Sequence, residues 1–172
     1  MRLKANLMDA AKMRRTVIHL AHDIAVDSTG FSRLVLIGIG GRGEALAKEI
    51  SAIVQAEIGK KVPVGHIDVS DESGSLSATE VSGCFPSDAY VITVNDVLRS
   101  GRTAYVVSEA IANSFATQRI SHAVLVDCSK DSSLIKARFA GTKLDVDDSD
   151  IVSVSVKDVD GVRRVDVYSV DY

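Results

Sequence analysis

The run Leu34-Val35-Leu36-Ile37-Gly38-Ile39 passes directly into Gly40-Gly41-Arg42-Gly43. A short, continuously apolar run with no alternating polar residue suits a parallel strand covered by helices on both faces. Beyond the glycine turn, Leu46, Ala47, Ile50, Ile53, Val54 and Ile58 recur at helical spacing across Glu44 to Ile58, and Pro63 to Val69 reads as a second strand. Together they make a βαβ unit, which is right-handed with near certainty. The pattern then recurs: Ala89 to Val94 as a strand, a turn around Ser100-Gly101, a helix from Thr103 to Phe115, and a strand from Ile120 to Val126. This alternation predicts an α/β fold, a parallel sheet flanked by helices, with ligands at the carboxyl ends of its strands. An earlier helix is expected over Leu7 to Val26, on Leu7, Ala10, Ala11, Val17, Ile18, Ala21, Ile24 and Ala25. Period-two alternation over Ile151 to Val156 and Val162 to Val170, around Asp158-Val159-Asp160-Gly161, predicts a C-terminal antiparallel hairpin.

A chain of 172 residues is expected to form a single domain over 1–172 and can bury roughly two thirds of its unfolded surface without a disulfide or metal staple. Its 20 basic and 23 acidic residues leave a net charge of −3, which argues against broad electrostatic binding of nucleic acid. Cys84 and Cys128 are too few for a disulfide scaffold. The absence of an apolar leader or membrane-length run predicts a cytoplasmic chain without membrane contact. Residues 70–88, rich in Ser, Gly and acidic residues and closed by Pro86, are long for a connection and predict a mobile lid or binding loop. No Lys or Arg occurs between Lys61 and Arg99.

The segment richest in chemistry is Val91-Ile92-Thr93-Val94-Asn95-Asp96-Val97-Leu98-Arg99-Ser100-Gly101-Arg102-Thr103. A buried strand there delivers polar groups, and a glycine-containing loop runs on into a helix N-terminus. Successive backbone N–H groups with a helix dipole behind them can cradle a phosphate, Ser100 and Thr103 add hydroxyls, and Asp96 can accept from sugar hydroxyls. A plain strand–turn–helix with Thr103 as cap is the competing reading.

This segment resembles the phosphoribosyl-diphosphate motif of the type I phosphoribosyltransferases: four apolar residues, two acidic positions, two apolar residues, then a Thr/Ser-Gly-x-Thr loop. Gly38-Ile39-Gly40-Gly41-Arg42-Gly43 is similar to the pyrophosphate loop of that family, and residues 70–88 fall where its flexible active-site loop lies. The likeness runs toward the branch combining uracil phosphoribosyl transfer with pyrimidine-operon attenuation, through Ile18-His19-Leu20-Ala21-His22-Asp23-Ile24, Gly65-His66-Ile67-Asp68, Asn95-Asp96-Val97-Leu98, Ala123-Val124-Leu125-Val126-Asp127 and Ala137-Arg138-Phe139-Ala140-Gly141. The resemblance implies transfer of phosphoribose from phosphoribosyl diphosphate to a pyrimidine-class nucleobase, with Mg²⁺ as cofactor and a homodimer as assembly. It gives Arg99, Ser100, Gly101, Arg102 and Thr103 the 5′-phosphate, and Asn95 and Asp96 the ribose hydroxyls. It gives Gly40, Gly41, Arg42 and Gly43 the pyrophosphate with its Mg²⁺. Asp96, Asn95 and Arg42 are the implied catalytic residues, and Asp96 the metal ligand. The 6-oxopurine branch carries an aspartate at position 99, whereas Arg99 cannot act as a base at neutral pH, which disfavours a purine acceptor.

Three departures open a second reading, a catalytically weak nucleotide-sensing relative. Asn95 stands where the motif has its first acid, and the lost charge-assisted bonding predicts substrate binding weaker by roughly 1–2 kcal/mol. The 70–88 segment offers Asp71, Glu72, Glu80 and Asp88 without a cation, and an acidic lid repels pyrophosphate. Cys128-Ser129-Lys130-Asp131 replaces an Arg-Gly-His-Arg-like base-recognising segment. A third reading takes Gly38-x-Gly40-x-x-Gly43 as a dinucleotide fingerprint, but Asp68 lies beyond the usual spacing and Pro63 and Gly65 interrupt the second strand. RNA binding is not expected, since Arg14-Arg15, Lys60-Lys61 and Arg163-Arg164 are far apart in sequence. His19 and His22 read as ordinary helix histidines and Cys128 as inert. Asp145, Asp147, Asp148 and Asp150 read as an exposed turn.

Overall fold

The computed structural model describes residues 1–83 and 85–170, so Cys84 and the last two positions lie outside the described residues. In chain order the elements are β1 (Arg2–Met8), α1 (Ala10–Asp27), β2 (Leu34–Ile39), α2 (Gly40–Ile58), β3 (Val64–Ile67), β4 (Val69–Glu72), β5 (Ser75–Ala78), β6 (Ala89–Leu98), α3 (Arg102–Ser114), β7 (Thr117–Asp127), β8 (Phe139–Lys143), β9 (Asp150–Ser155), α4 (Lys157–Asp160) and β10 (Arg164–Ser169). The central sheet has the order β3-β2-β6-β7-β8, and every pairing in it is parallel. β2 is followed on one side by β3, and β6 on the other by β7 and β8, so the winding reverses between β2 and β6. A crevice at the carboxyl ends of two such strands is where open α/β sheets bind ligands. No helix among the described residues is long and apolar enough to cross a membrane.

The apolar run over 34–39 is buried at every position, as its composition predicts. One face of the sheet packs on α1 and α2 through Leu36, Leu46, Ile50, Tyr90, Ile92 and Leu125, and the other packs on α3 through Val35, Ile37, Val91, Val107 and Ile111. Several boundaries differ from those expected. Leu7 belongs to a strand, and the helix starts at Ala10 because the Asp9 carboxylate caps it by accepting from the Lys12 N–H at 2.7 Å. Its buried stripe is Met13, Val17, Leu20, Ala21, Ile24 and Ala25, leaving Ala10, Ala11 and Ile18 outside. β1 alternates Leu3, Ala5 and Leu7 with Arg2, Lys4 and Asn6, and it pairs antiparallel with β10 in a second sheet ordered β1-β10-β9. The C-terminal hairpin is present, but its strands are joined through the helical turn α4, closed by Gly161 at φ +76°, not through a two-residue turn. The expected loop 70–88 begins as a β4–β5 ribbon, with Ser73 and Gly74 both at positive φ as a tight hairpin turn requires.

The α3 face is fastened to the sheet by a polar chain at His122, which is 7% exposed. Ser108 Oγ donates to the Ala104 carbonyl at 2.7 Å, so it can only accept from His122 Nε2–H at 3.1 Å. His122 Nδ1 is then the acceptor of Thr93 Oγ1–H at 2.6 Å. Burial lowers the His122 pKa to about 4. Because the unfolded imidazole binds its proton near 6.5, the unfolded state takes up protons first as the pH falls. Stability is therefore expected to be level above about pH 6.5 and to decline by roughly 3 kcal/mol on descending to about pH 4. Urea midpoints against pH check this, and the His122→Gln variant should show a flatter acid limb. An equal slope in both proteins contradicts it.

Candidate active site

β6 outruns its neighbour β2 and continues to Leu98 along β7, with Val97 opposite Val126 and Leu98 opposite Asp127. Asn95 and Asp96, expected just past the strand, therefore lie within β6, half-buried near its carboxyl end, with Asn95 opposite Val124 of β7. Asn95 Oδ1 accepts from the Asp96 N–H at 2.9 Å, and Asp96 Oδ1 accepts from the Val97 N–H at 2.8 Å. The chain then turns through Arg99-Ser100-Gly101 into α3. Gly101 caps the helix at φ +78°, and a Cβ on it would stand 2.5 Å from the Ile135 nitrogen, so both conformation and space demand glycine. The amides of Ser100, Gly101, Thr103 and Ala104 find no acceptor among the described residues, while the Arg102 N–H makes a long 3.4 Å approach to Ser100 Oγ. These open donors, at the N-terminus of a 13-residue helix, form an anion cradle. A cavity of about 350 Å³ opens onto it, lined by Asn95, Asp96, Ser100, Gly101 and Thr103, and closed opposite by Ile151 and Val152 of β9.

The glycine turn after β2 differs from the expected loop. Gly40, Gly41, Arg42 and Gly43 form the first turn of α2, so the helix begins four residues before Glu44. It can begin there because α2 presses directly on the sheet: a Cβ on Gly43 would lie 2.5 Å from the Val94 carbonyl oxygen. The first-turn amides of Gly41 and Arg42 lie ahead of the first intrahelical bond and have no acceptor among the described residues. Arg42 lies near enough to Asp96 for each to feel the other's charge. Burial pushes the Asp96 carboxyl above the ordinary aspartate range, against the opposing pull of the Val97 N–H and Arg42.

Two arginines of the predicted phosphate set have side chains occupied elsewhere. Arg99 donates to the carbonyls of Asp150 at 2.6 Å and Asp147 at 3.3 Å, because β9 of the second sheet begins beside this turn. Arg102 Nη2 donates to the Gly74 carbonyl at 3.0 Å, tying the tip of the β4–β5 ribbon to the start of α3. The acidic 70–88 segment thus meets a cation from the Ser100–Arg102 turn. The stretch expected as an exposed acidic turn is also engaged, with Lys4 reaching Asp150 at 2.7 Å and Asp147 at 3.1 Å and Lys130 reaching Asp148 at 2.6 Å; Asp150 is buried. Only side chains brought in by long-range folding could reveal this, and no local signal in the sequence marks Lys4, Ile151 or Val152 for it. His22 faces Glu57 at 3.2 Å on the helix surface, away from this cleft. Cys128 is buried, and that burial pushes its thiol upward, away from the thiolate form that reactive cysteines need.

No family model matches the chain. Among curated proteins, "Bifunctional protein PyrR" of Thermus thermophilus is 36% identical over 177 residues, spanning 98% of this chain and 97% of its own. That of Clostridium acetobutylicum is 32% identical over 176 residues, spanning 98% and 99%. The chain belongs to the PyrR family. Solved structures share its fold: a hypoxanthine phosphoribosyltransferase from Staphylococcus aureus superposes with a TM-score of 0.72 at 17% identity, covering 95% of this chain and 92% of its own. A purine phosphoribosyltransferase from Pyrococcus horikoshii gives 0.65 at 23% identity over 80% and 86%. The sheet of this PyrR-family chain is thus that of the type I phosphoribosyltransferases. The dinucleotide reading falls away with that membership, and Asp68, its required acid, is paired with His66 Nε2 at 3.0 Å. The residues present also fit a magnesium ion. The second Asp96 oxygen accepts no hydrogen bond among the described residues, and Mg²⁺ is commonly bound through one or two carboxylates plus substrate phosphates and water.

Replacing Gly101 by alanine is expected to destabilise the fold by roughly 1–3 kcal/mol through backbone strain, and by more where the methyl forces Ile135 aside. A guanidinium melt reads this, and an unshifted midpoint would show that the turn is not held as described.

Proposed function

We propose that this PyrR-family chain is a phosphoribosyltransferase that binds phosphoribosyl diphosphate in the Asn95–Thr103 cleft and transfers phosphoribose to a pyrimidine base. The observation that carries the reading is one cavity bounded by Asn95 and Asp96 on one wall and by the unfilled amides of the Ser100–Ala104 turn on the next. The cradle suits the 5′-phosphate, with backbone amides and the Ser100 and Thr103 hydroxyls as donors. Asp96 and Asn95 suit the ribose hydroxyls as acceptors, and the first turn of α2 with Arg42 suits the pyrophosphate.

Departure of pyrophosphate leaves positive charge on the ribose ring and negative charge on the leaving group. Asp96, held rigidly at the end of β6, faces the first, and Arg42 with the α2 amides faces the second. A Mg²⁺ ion held through Asp96 and the substrate would further neutralise the leaving group. Arg99 cannot accept a proton, and its guanidinium is spent on two carbonyls, which supports a pyrimidine over a purine acceptor. Arg163 pairs with Glu49 and Arg164 with Asp166, which supports the reading without RNA binding. Homodimeric assembly is carried by the family resemblance, and light scattering checks the dimer.

One observation favours a weakly active, nucleotide-sensing protein: the lid is latched to the phosphate turn through Arg102 and brings no cation of its own. Pyrophosphate release decides between the two. Turnover with uracil or another pyrimidine is expected, and binding without release of pyrophosphate would select the sensing role. In calorimetric titration, Asp96→Ala and Thr103→Ala should each weaken phosphoribosyl diphosphate at least about tenfold. Unchanged affinity in both would remove the substrate from this cleft.

A further inference from the structure

Arg42 meets a partner that no motif in its neighbourhood announces. Its Nε and Nη2 donate to Asp160 Oδ2 and Oδ1 at 3.0 and 2.9 Å, across 118 positions of chain. Asp160 closes α4, and its Oδ2 also accepts from the Val156 N–H at 2.8 Å, so the carboxylate is held at the head of its own turn. Val159, its neighbour, lies against Gly41, where a Cβ would meet it at 3.9 Å. The turn between β9 and β10 therefore backs directly onto the first turn of α2.

A guanidinium has two edges suited to bidentate recognition. Asp160 takes the side edge, Nε with Nη2. The end edge, Nη1 with the second Nη2 proton, has no acceptor among the described residues, and the side chain remains 46% exposed. Arg42 is thus oriented by one carboxylate with its second fork left open, on the same helix turn as the open amides of Gly41 and of Arg42 itself.

We propose that Asp160 is a positioning residue for pyrophosphate recognition: it clamps the side edge of Arg42 so that the end edge faces the leaving diphosphate. This rests on the phosphoribosyltransferase reading of the cleft. It makes the C-terminal sheet, through α4, a part of the pyrophosphate site. A long arginine loses rotamer freedom on engaging an anion, and a partner that fixes it beforehand removes that cost from binding. The opposite possibility has the opposite sign: if Asp160 competed with the anion for Arg42, removing its charge would tighten pyrophosphate.

The test measures pyrophosphate and ribose 5-phosphate affinities by calorimetry with Mg²⁺ present, for the natural chain, Asp160→Asn, Arg42→Ala and the double variant. Asn keeps an acceptor for Val156 but loses the charged fork, and melting temperatures confirm that each variant is folded. Asp160→Asn is expected to weaken pyrophosphate about five- to tenfold while ribose 5-phosphate stays within about twofold. In the Arg42→Ala background it should have no further effect, because its role runs through Arg42. Asp160→Glu, which keeps the charge but moves it, should restore part of the loss, and it serves in place of Asn if that variant does not fold, with the same sign and a smaller change. Unchanged or tighter pyrophosphate binding in Asp160→Asn, or losses that add with Arg42→Ala, overturn the proposal while leaving the cleft reading intact. A natural chain that binds neither ligand overturns the cleft reading and the role of Asp160 with it.

Discussion

The site depends on how closely α2 is allowed to approach the sheet. A Cβ at Gly38 would fall 2.3 Å from the Glu44 Cα, and one at Gly43 would fall 2.5 Å from the Val94 carbonyl oxygen. Real side-chain carbons do not tolerate either distance, so the helix can sit on the β2–β6 junction only while both positions lack a side chain. That contact places the unpaired amides at the start of α2 beside the end of β6, where the second set of open amides begins. Two turns with open amides, from different βα units, thereby follow the carboxyl ends of adjacent strands, at the point where the winding of the sheet reverses.

The second sheet completes what the first begins. β9 supplies Ile151 and Val152 to the cavity wall, and its start is pinned by Arg99, while Lys4 of β1 neutralises Asp147 and Asp150 nearby. α4 adds Asp160 behind Arg42. Charge in the cleft is consequently arranged in sequence, Asp160 against Arg42 and Arg42 toward Asp96. A half-buried carboxylate and an exposed guanidinium thus stand within electrostatic reach of each other beside the cleft.

Much of this was legible in the sequence, for physical reasons. Unbroken apolar runs with glycine turns produce buried parallel strands whatever lies around them, so β2, β6 and the core of β7 follow from composition. The Asn95–Thr103 segment builds its cradle locally, and the cradle could be read there. What escaped depends on contacts across the chain: the short alternation of Leu3, Ala5 and Leu7 overlaps the helical spacing at Leu7 and is settled as a strand by its pairing with β10, and the first half of the expected lid is a ribbon tied down by Arg102. Side-chain roles escaped for the same reason. Arg99 and Arg102 were expected on phosphate because of where they sit in the motif, but carbonyls from distant segments claim their guanidinium groups. Asp160 was visible only as half of an Asp-Gly turn signal.

The account rests on open backbone amides between residues 100 and 104 gripping a sugar phosphate. Titrating ¹⁵N-labelled protein with ribose 5-phosphate and following the amide resonances examines that grip directly. The account predicts that the largest shifts fall on Ser100, Gly101, Thr103 and Ala104, with smaller ones at Asn95 and Asp96. Shifts concentrated elsewhere, with the resonances of this turn unmoved at saturation, would contradict it.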